Sequence, residues 1–580
     1  MRYLMPLLFV SAGVVHAANV AENAVTAMPV REVTVFKDGH AFVIHEGDAA
    51  TDENGNVHLN YLPNPVLGTF WPYSADTNVK LKSVAAGKHR VDLQRTALSI
   101  RELLESNVGA RVEILEETTK GEISRYRGTI LSIPQRSAEE LESAATGATE
   151  PLLPSKGDII MLKSDEGVRT IPIDKIQDIT FPDDPDTQHH YQEIRNLLRL
   201  QMDWGNNAAK EKTRVGLTYL QKGIRWIPQY RLTLKDDGTV LVQLQATLLN
   251  EMTDLDKVTA HLVVGVPSIQ FKATIDPIAL QQQAVALSSY FNSPQHRAVS
   301  NRFSNSIMSQ QVAIHQHAPQ PANQPGGSLG PEIAGSEKNE SLFVFTIENV
   351  TLAKGERMAL TVGEWKMTYE DIYKLNIPFA PPTEVQQRLS SEQQREMARL
   401  LNSPKAKHVV RLTNKSKVPL TTAPALLMSE RGILGQGMMT YTASGGTSDI
   451  NVTTAINIGV KQTDEESKRI SAATKWNGHS FDRIELKGSI RISNFDDKPV
   501  KLEVTRETLG QIGAASHEGV VTHPNVWSLT GNSRPSWWGW YSWPNWWSHM
   551  NPHGRVKWEL ELPATKETEL TYDWHYSWTW

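Results

Sequence analysis

Apolar residues fall on every second position over much of this chain, and Asp-Gly or Asn-Gly pairs separate the runs. That combination commits the polypeptide to antiparallel hairpins. Between Arg31 and Leu62 the alternation shows at Val33 and Val35 and again at Val57, Leu59 and Tyr61, with Asp38-Gly39 and Asn54-Gly55 at the turns. Successive side chains of a strand point to opposite faces, so period two buries one face and wets the other, while the two dipeptides tolerate the positive φ of a tight turn. The pattern returns at Tyr230, Leu232, Leu234, Asp237-Gly238, Val240, Val242 and Leu244, and again at Val500, Leu502 and Val504. It closes the chain at Trp558, Leu560, Leu562 and at Leu570, Tyr572, Trp574, Tyr576. A mainly β protein is expected.

With 580 residues the chain is long enough for several cores. Its 59 Lys and Arg stand against 64 Asp and Glu, so neither a nucleic-acid footprint nor a polyacidic tail is present. Met1-Arg2-Tyr3, the uncharged apolar stretch Leu4 to Val15 and then His16-Ala17-Ala18 follow the plan of a secretory signal peptide cleaved after Ala17 or Ala18. The expected localisation is therefore periplasmic or extracellular, in a bacterium. No later run has the apolar length of a spanning helix, so no transmembrane segment is expected in the mature chain. There is no cysteine, which excludes disulfides, thiol nucleophiles and thiolate metal sites; burial alone must hold an exported protein of this kind together.

Organisation follows from composition. Residues 1–18 form the signal peptide and 19–97 an amino-terminal β domain. Residues 98–182 open with Ser99 to Gly109, a short helix with a Ser99 and Glu102 capping box. Five short strand-like runs follow, with glycines near the bends. That series predicts a small barrel of the SH3 or Sm type. Its 13 acids against 9 bases over 109–182 argue for a structural or protein-contact module rather than an RNA binder. Residues 183–580 are read as a large antiparallel β-sandwich. Its interruptions are a helical pattern from Pro277 to Phe291, a low-complexity loop at 293–340 rich in Asn, Gln, His, Ser, Pro and Gly and expected to be disordered, and a tryptophan-rich loop at 526–553.

Several strings resemble a known group. VTVFKDGHAFV (33–43), LPNPVLGTFW (62–71), LTYLQKGIRWIPQYRLTL (217–234), LFVFTIENVTLAKGERMALTV (342–362) and the closing RVKWELELPATKETELTYDWHYSW (555–578) are similar to the mucoidy-inhibitor-like family of exported bacterial proteins. The resemblance implies an elongated, β-rich extracytoplasmic protein with an amino-terminal β domain and a larger carboxy-terminal β-sandwich. It brings no catalytic residues. Many members place a coiled-coil hairpin between the two domains, where this chain has the barrel-like segment.

Eleven of the 16 tryptophans fall in the last 54 residues, seven of them between Asn525 and Ser548. Trp537, Trp538, Trp540, Trp543, Trp546 and Trp547 lack strand alternation, and Pro535, Gly539 and Pro544 break any regular element. Indoles are costly to leave in water and useful against sugars or proteins. With Tyr541 and His549 they form the expected binding surface, facing a glycan or an envelope protein. Self-packing of the same rings is the competing reading. His523, His549, His553 and His575 flank the segment.

Catalytic and metal motifs are weak. Gly326-Gly327-Ser328-Leu329-Gly330 has nucleophile-elbow spacing but no strand before it. His189-His190 near Asp183, Asp184 and Asp186, or His315 with His317, could hold a metal, yet adjacent histidines on a strand face opposite ways. No metal site and no cofactor is expected. The reading is a non-enzymatic exported cell-envelope protein, a β scaffold with a tryptophan-rich contact loop. The alternative is a hydrolase of envelope polysaccharide using Asp482 with Glu485, or Glu507 with Glu518.

Overall fold

The computed structural model describes residues 20–117, 123–145, 151–265, 267–279, 342–401, 404–524 and 535–579. The signal-peptide stretch, the 293–340 loop and nearly all of the expected helix from Pro277 to Phe291 lie outside them. Within the described residues the strands fall into four consecutive units of one plan. Each unit has four strands, A to D in chain order, with A antiparallel to D and B antiparallel to C. Unit 1 is His40–Ala50, Val57–Leu59, Gln188–Asp203 and Lys212–Lys222. Unit 2 is Thr239–Asn250, Leu255–Val264, Phe343–Leu352 and the first half of Arg357–Ile377. Unit 3 is Lys407–Thr413, Ala423–Ser429, Gly432–Met439 and Thr447–Thr454. Unit 4 is His479–Asn494, Val500–Leu509, His553–Leu562 and Glu567–Trp578.

A lead strand precedes each A and pairs antiparallel with it. The four are Val30–Val35, Ile224–Leu234, the second half of Arg357–Ile377, and Ile458–Trp476. Strand B of units 2, 3 and 4 then lies parallel to the lead strand of the unit before it. Strand B of unit 1 is likewise parallel to Val25–Thr26. The single antiparallel sandwich expected from the alternation is thus replaced by serial sandwiches joined through parallel ladders. Parallel partners require long connections, and hairpin signals report only neighbours in sequence. The first sandwich also draws on chain both before and after residue 183.

One polar residue marks the A–B corner of each unit. Asn250, Asn414 and Asn494 are almost wholly buried. In each, Nδ2 donates to a carbonyl a few residues on (Thr253 2.6 Å, Val418 2.9 Å, Lys498 2.9 Å) and to one near the end of strand C (Leu352 3.0 Å, Thr442 3.1 Å, Pro563 3.1 Å). Oδ1 accepts from the backbone N–H two residues on, in Met252, Ser416 and Asp496. An amide supplies donors and an acceptor to backbone groups that the end of a ladder leaves unpaired. In unit 1 the corner is Asp52, which has no donor to give; there Trp204 Nε1 donates to the carbonyl of Gly55 instead. The C–D turns of units 2, 3 and 4 carry a left-handed residue at Gly355, Gly445 and Thr565 (φ 86°, 81° and 54°).

The three largest interruptions occupy one place, the B–C connection, while a helical segment, 378–406, separates the lead strand of unit 3 from its strand A. Unit 3 closes its B–C connection with two residues, Glu430 and Arg431, whereas unit 1 inserts 60–187, unit 2 inserts 265–342 and unit 4 inserts 510–552. The insertion of unit 1 carries the segment expected to be a barrel, and it is not one. Its five strands form an open sheet in the order Gly167–Pro172, Ile159–Ser164, Ile123–Ser132, Arg111–Glu117, Ile176–Thr180. No ladder joins its two edges. Pro172 has no N–H to offer at that edge, and the 3-10 turn Ile173–Lys175 carries the last strand across to the far side. Leu104 of the preceding helix packs on the sheet with Ile114, Ile130, Ile160 and Ile171. The helix starts as expected, with Ser99 Oγ accepting from Glu102 N and the Glu102 carboxylate from Leu98 N.

Candidate functional site

Residues 526–534 of the tryptophan-rich loop, with Trp527, lie outside the described residues; the rest folds as the 3-10 turn Ser536–Trp540 and the short helix Asn545–Met550 and packs inward. Trp537 and Trp547 are only 4% and 3% exposed; Trp538, Trp540, Tyr541, Trp543 and Trp546 are half-buried against the same core. Trp538 stacks on Trp543 with ring centroids 4.4 Å apart, and Trp543 Nε1 donates to the carbonyl of Trp538. Trp547 meets Trp543 and Trp578, Trp546 meets Phe481 and Trp578, and Trp537 lies edge-on to Phe379. Asn551 bonds both ways with Ser577, fixing the segment to strand D of unit 4. The expected exposed contact loop is therefore a buried aromatic cluster closing one sandwich. Irregular backbone let these rings turn inward without alternation, so the lack of period two was no sign of exposure. Of the expected surface residues His549 alone stays exposed, and it stacks on Trp476 at 5.3 Å.

The polar groups around the cluster serve the fold. Buried Arg506 donates to Asp464 (2.7 Å), to Tyr572 Oη (2.7 Å) and to the carbonyl of Pro378 (2.6 Å). Asp464 also accepts from Tyr572 and Trp574, and buried Glu384 accepts from Tyr576. Burial pushes the phenols of Tyr572 and Tyr576 well above their ordinary value. Of the four acids considered for glycoside hydrolysis, Glu485 pairs with Arg483 and Asp482 accepts from Ala472 N. Glu507 is held by Arg555, while Glu518 sits on a left-handed turn residue. His553 is buried beside Phe379, 3.7 Å from Glu507, and His575 lies beside Arg483. His523 accepts from Ile512 N, so the four flanking histidines do not converge.

His189 is buried 3.5 Å from Glu105 while its neighbour His190 is exposed, as opposite strand faces require. Among the described residues no group of three His, Asp or Glu gathers as metal ligands, and no helix is long and apolar enough to cross a membrane. Gly326 to Gly330, His315 and His317 lie outside the described residues.

A shallow, open apolar cleft lies on a different surface. On the outer face of the sheet formed by unit 1, Phe36, Phe42 and Leu220 floor this cleft of about 620 Å³. Its walls come from 67–71 in the insertion of unit 1 and 267–271 in the insertion of unit 2. Two aromatic rings stand open at its rim: Trp71 is 68% exposed and Phe271 50%. Thr34, Thr69, Ser268 and Gln270 supply the few polar side chains. The cleft escaped sequence reading because its walls are distant in the chain; the only local signal was Pro63, Pro65 and Gly68 interrupting an apolar run before Trp71.

No protein-family model matches the chain, and no curated protein matches it.

Proposed function

We propose that this chain is a non-enzymatic, exported cell-envelope protein of the mucoidy-inhibitor-like kind, a β scaffold that holds a protein partner in the Trp71 cleft. The observation that carries the reading is the convergence of two insertions on one apolar cleft with Trp71 and Phe271 exposed above it. An aromatic anchor against an apolar pocket is the usual energetic centre of a protein interface. The sparse polar lining favours an apolar side chain of a protein over a sugar, whose hydroxyls need several hydrogen-bond partners. The leader-like residues 1–18 support the extracytoplasmic setting.

The test is retention of envelope proteins on immobilised full chain, comparing wild type with Trp71→Ala and Phe271→Ala. A specific partner should be lost from both variants while β-type circular dichroism stays unchanged. Equal retention by all three overturns the cleft. Elution of the wild-type complex by oligosaccharide, with no protein partner dependent on Trp71, would replace the protein by a glycan.

A further inference from the structure

The four-unit plan has one vacancy. Each lead strand has strand A of its own unit on one side, and the lead strands of units 1, 2 and 3 have strand B of the following unit on the other. The lead strand of unit 4, Ile458–Trp476, ends its sheet and has no strand on its outer edge among the described residues. Over 458–466 it pairs residue for residue with 486–494 and is regular; a bulge follows at Glu466/Lys468. Unpaired N–H and C=O groups on such an edge are a template for another strand. The three filled edges show the direction that strand takes, which is parallel.

Side chains at the same place specify its chemistry. In unit 3, Arg411 stands three residues before the corner Asn414, pairs across the A–D ladder with Asp449 (2.7 Å) and takes a second carboxylate, Glu503, from the neighbouring parallel strand B (2.5 Å). In unit 4, Arg491 stands three residues before Asn494 and pairs across its own A–D ladder with Glu569 (3.2 Å). The first pair is reproduced and the second carboxylate has no counterpart; Lys374 of the lead strand, which also binds Glu503 in unit 3, is matched in register by Glu465, so Arg491 is left as the cation for an incoming carboxylate. The side chain of Arg491 is correspondingly 53% exposed against 27% for Arg411. Ile456 and Phe495 stand exposed at the head of the same edge.

We propose that the outer edge of 458–466 docks an extended segment of another envelope protein, which lies parallel to Ile458–Trp476 and presents a carboxylate to Arg491. The charged run after the edge, Glu466 to Arg469, and the bulge within it stop the added ladder and set its register. The edge belongs to unit 4 and the Trp71 cleft to units 1 and 2, so either assignment can fail while the other stands.

The natural probe is a labelled peptide with the sequence of residues 500–509, the strand that fills the equivalent edge of unit 3 and carries Glu503. Fluorescence anisotropy with the full chain should show saturable binding. A Glu503→Lys peptide should bind about tenfold more weakly, Arg491→Glu protein should lose about tenfold for the native peptide, and the two changes together should restore binding. Arg491 is on the surface, and an unchanged melting temperature of Arg491→Glu will show that the fold is intact. Absence of saturable binding up to about 1 mM, or binding indifferent to both charge reversals, overturns the proposal. Sedimentation velocity that shows self-association removed by Arg491→Glu would put a second copy of this chain on the edge and overturn the assignment to another protein.

Discussion

The side-chain amide of Asn494 donates to the main-chain carbonyl of Pro563 at 3.1 Å, and Asn250 and Asn414 make the corresponding bond to Leu352 and Thr442. Three sandwiches are thereby pinned at one corner, each by an amide reaching from the end of strand A to the end of strand C. Truncation strands several buried backbone groups at once, each worth about 1–3 kcal/mol when left unsatisfied. Asn414→Ala and Asn494→Ala should each destabilise by roughly 2–4 kcal/mol in urea unfolding. A loss no larger than that of a surface substitution would show the corner to be dispensable.

Thr565 occupies with φ 54° the position that glycine fills in units 2 and 3. A β-branched residue in the left-handed region carries a cost of about 1–2 kcal/mol, offset in part by the greater chain entropy that glycine loses on folding. Thr565→Gly should therefore stabilise by about 0.5–1 kcal/mol. A raised melting temperature is the readout, and a fall would show that the threonine side chain has a compensating role.

Trp547 and Trp71 should behave oppositely on truncation. Trp547 lies in the core of unit 4 against Trp543, Tyr576 and Trp578, so its loss leaves a cavity costing about 3–5 kcal/mol. Trp71→Ala on the open rim should stay within about 0.5 kcal/mol. Deleting 537–547 should likewise abolish cooperative unfolding of unit 4, seen as loss of the near-ultraviolet aromatic signal.

Acid should weaken the protein through unit 3. Hydrogen bonding from Arg411 holds the Asp449 carboxyl below its ordinary value of 3.8; at Glu503 burial pushes up, but Arg411 and Lys374 outweigh it and leave the group below 4.5. Folded-state pKa values depressed in this way add stability that is whole above the unfolded-state values and is lost as pH falls through the folded-state ones. The share of unfolding free energy carried by this pair should be whole above about pH 5 and decline below it, and Arg411→Met should reduce the slope in that acid range. An unaltered acid slope in Arg411→Met would place the sensitivity elsewhere.

The small sheet should be removable. Ala97 N donates to the carbonyl of Thr187 at 2.8 Å, so the two ends of the 98–186 segment already meet and a short glycine linker can join them at little entropic cost. Arg90, which pairs with Glu139 and Glu142 of that segment, would lose those partners. A protein lacking 98–186 should remain folded with moderately lowered stability; aggregation even when Arg90 is replaced by Ser would show that the insertion is integral to unit 1.

Local chemistry was legible in the amino-acid sequence. Alternation placed strands at Val33, Tyr230, Val500 and Leu570, Gly39, Gly55 and Gly238 marked left-handed turns, and Ser99 with Glu102 began a helix where they should. Each depends on neighbours a few residues apart. Which strand lies beside which depends instead on partners hundreds of residues away, and alternation is the same whether Ala425 pairs with Tyr230 or with another strand. Hence the open edge of the small sheet, the parallel ladders between units and the common site of the three largest insertions were settled only by the tertiary structure. The indoles teach the same point. Composition shows that Trp537, Trp546 and Trp547 must leave water, but a partner's surface and the protein's own core satisfy that demand equally, and it was Phe379, Phe481, Tyr576 and Trp578 lying within reach that drew them inward.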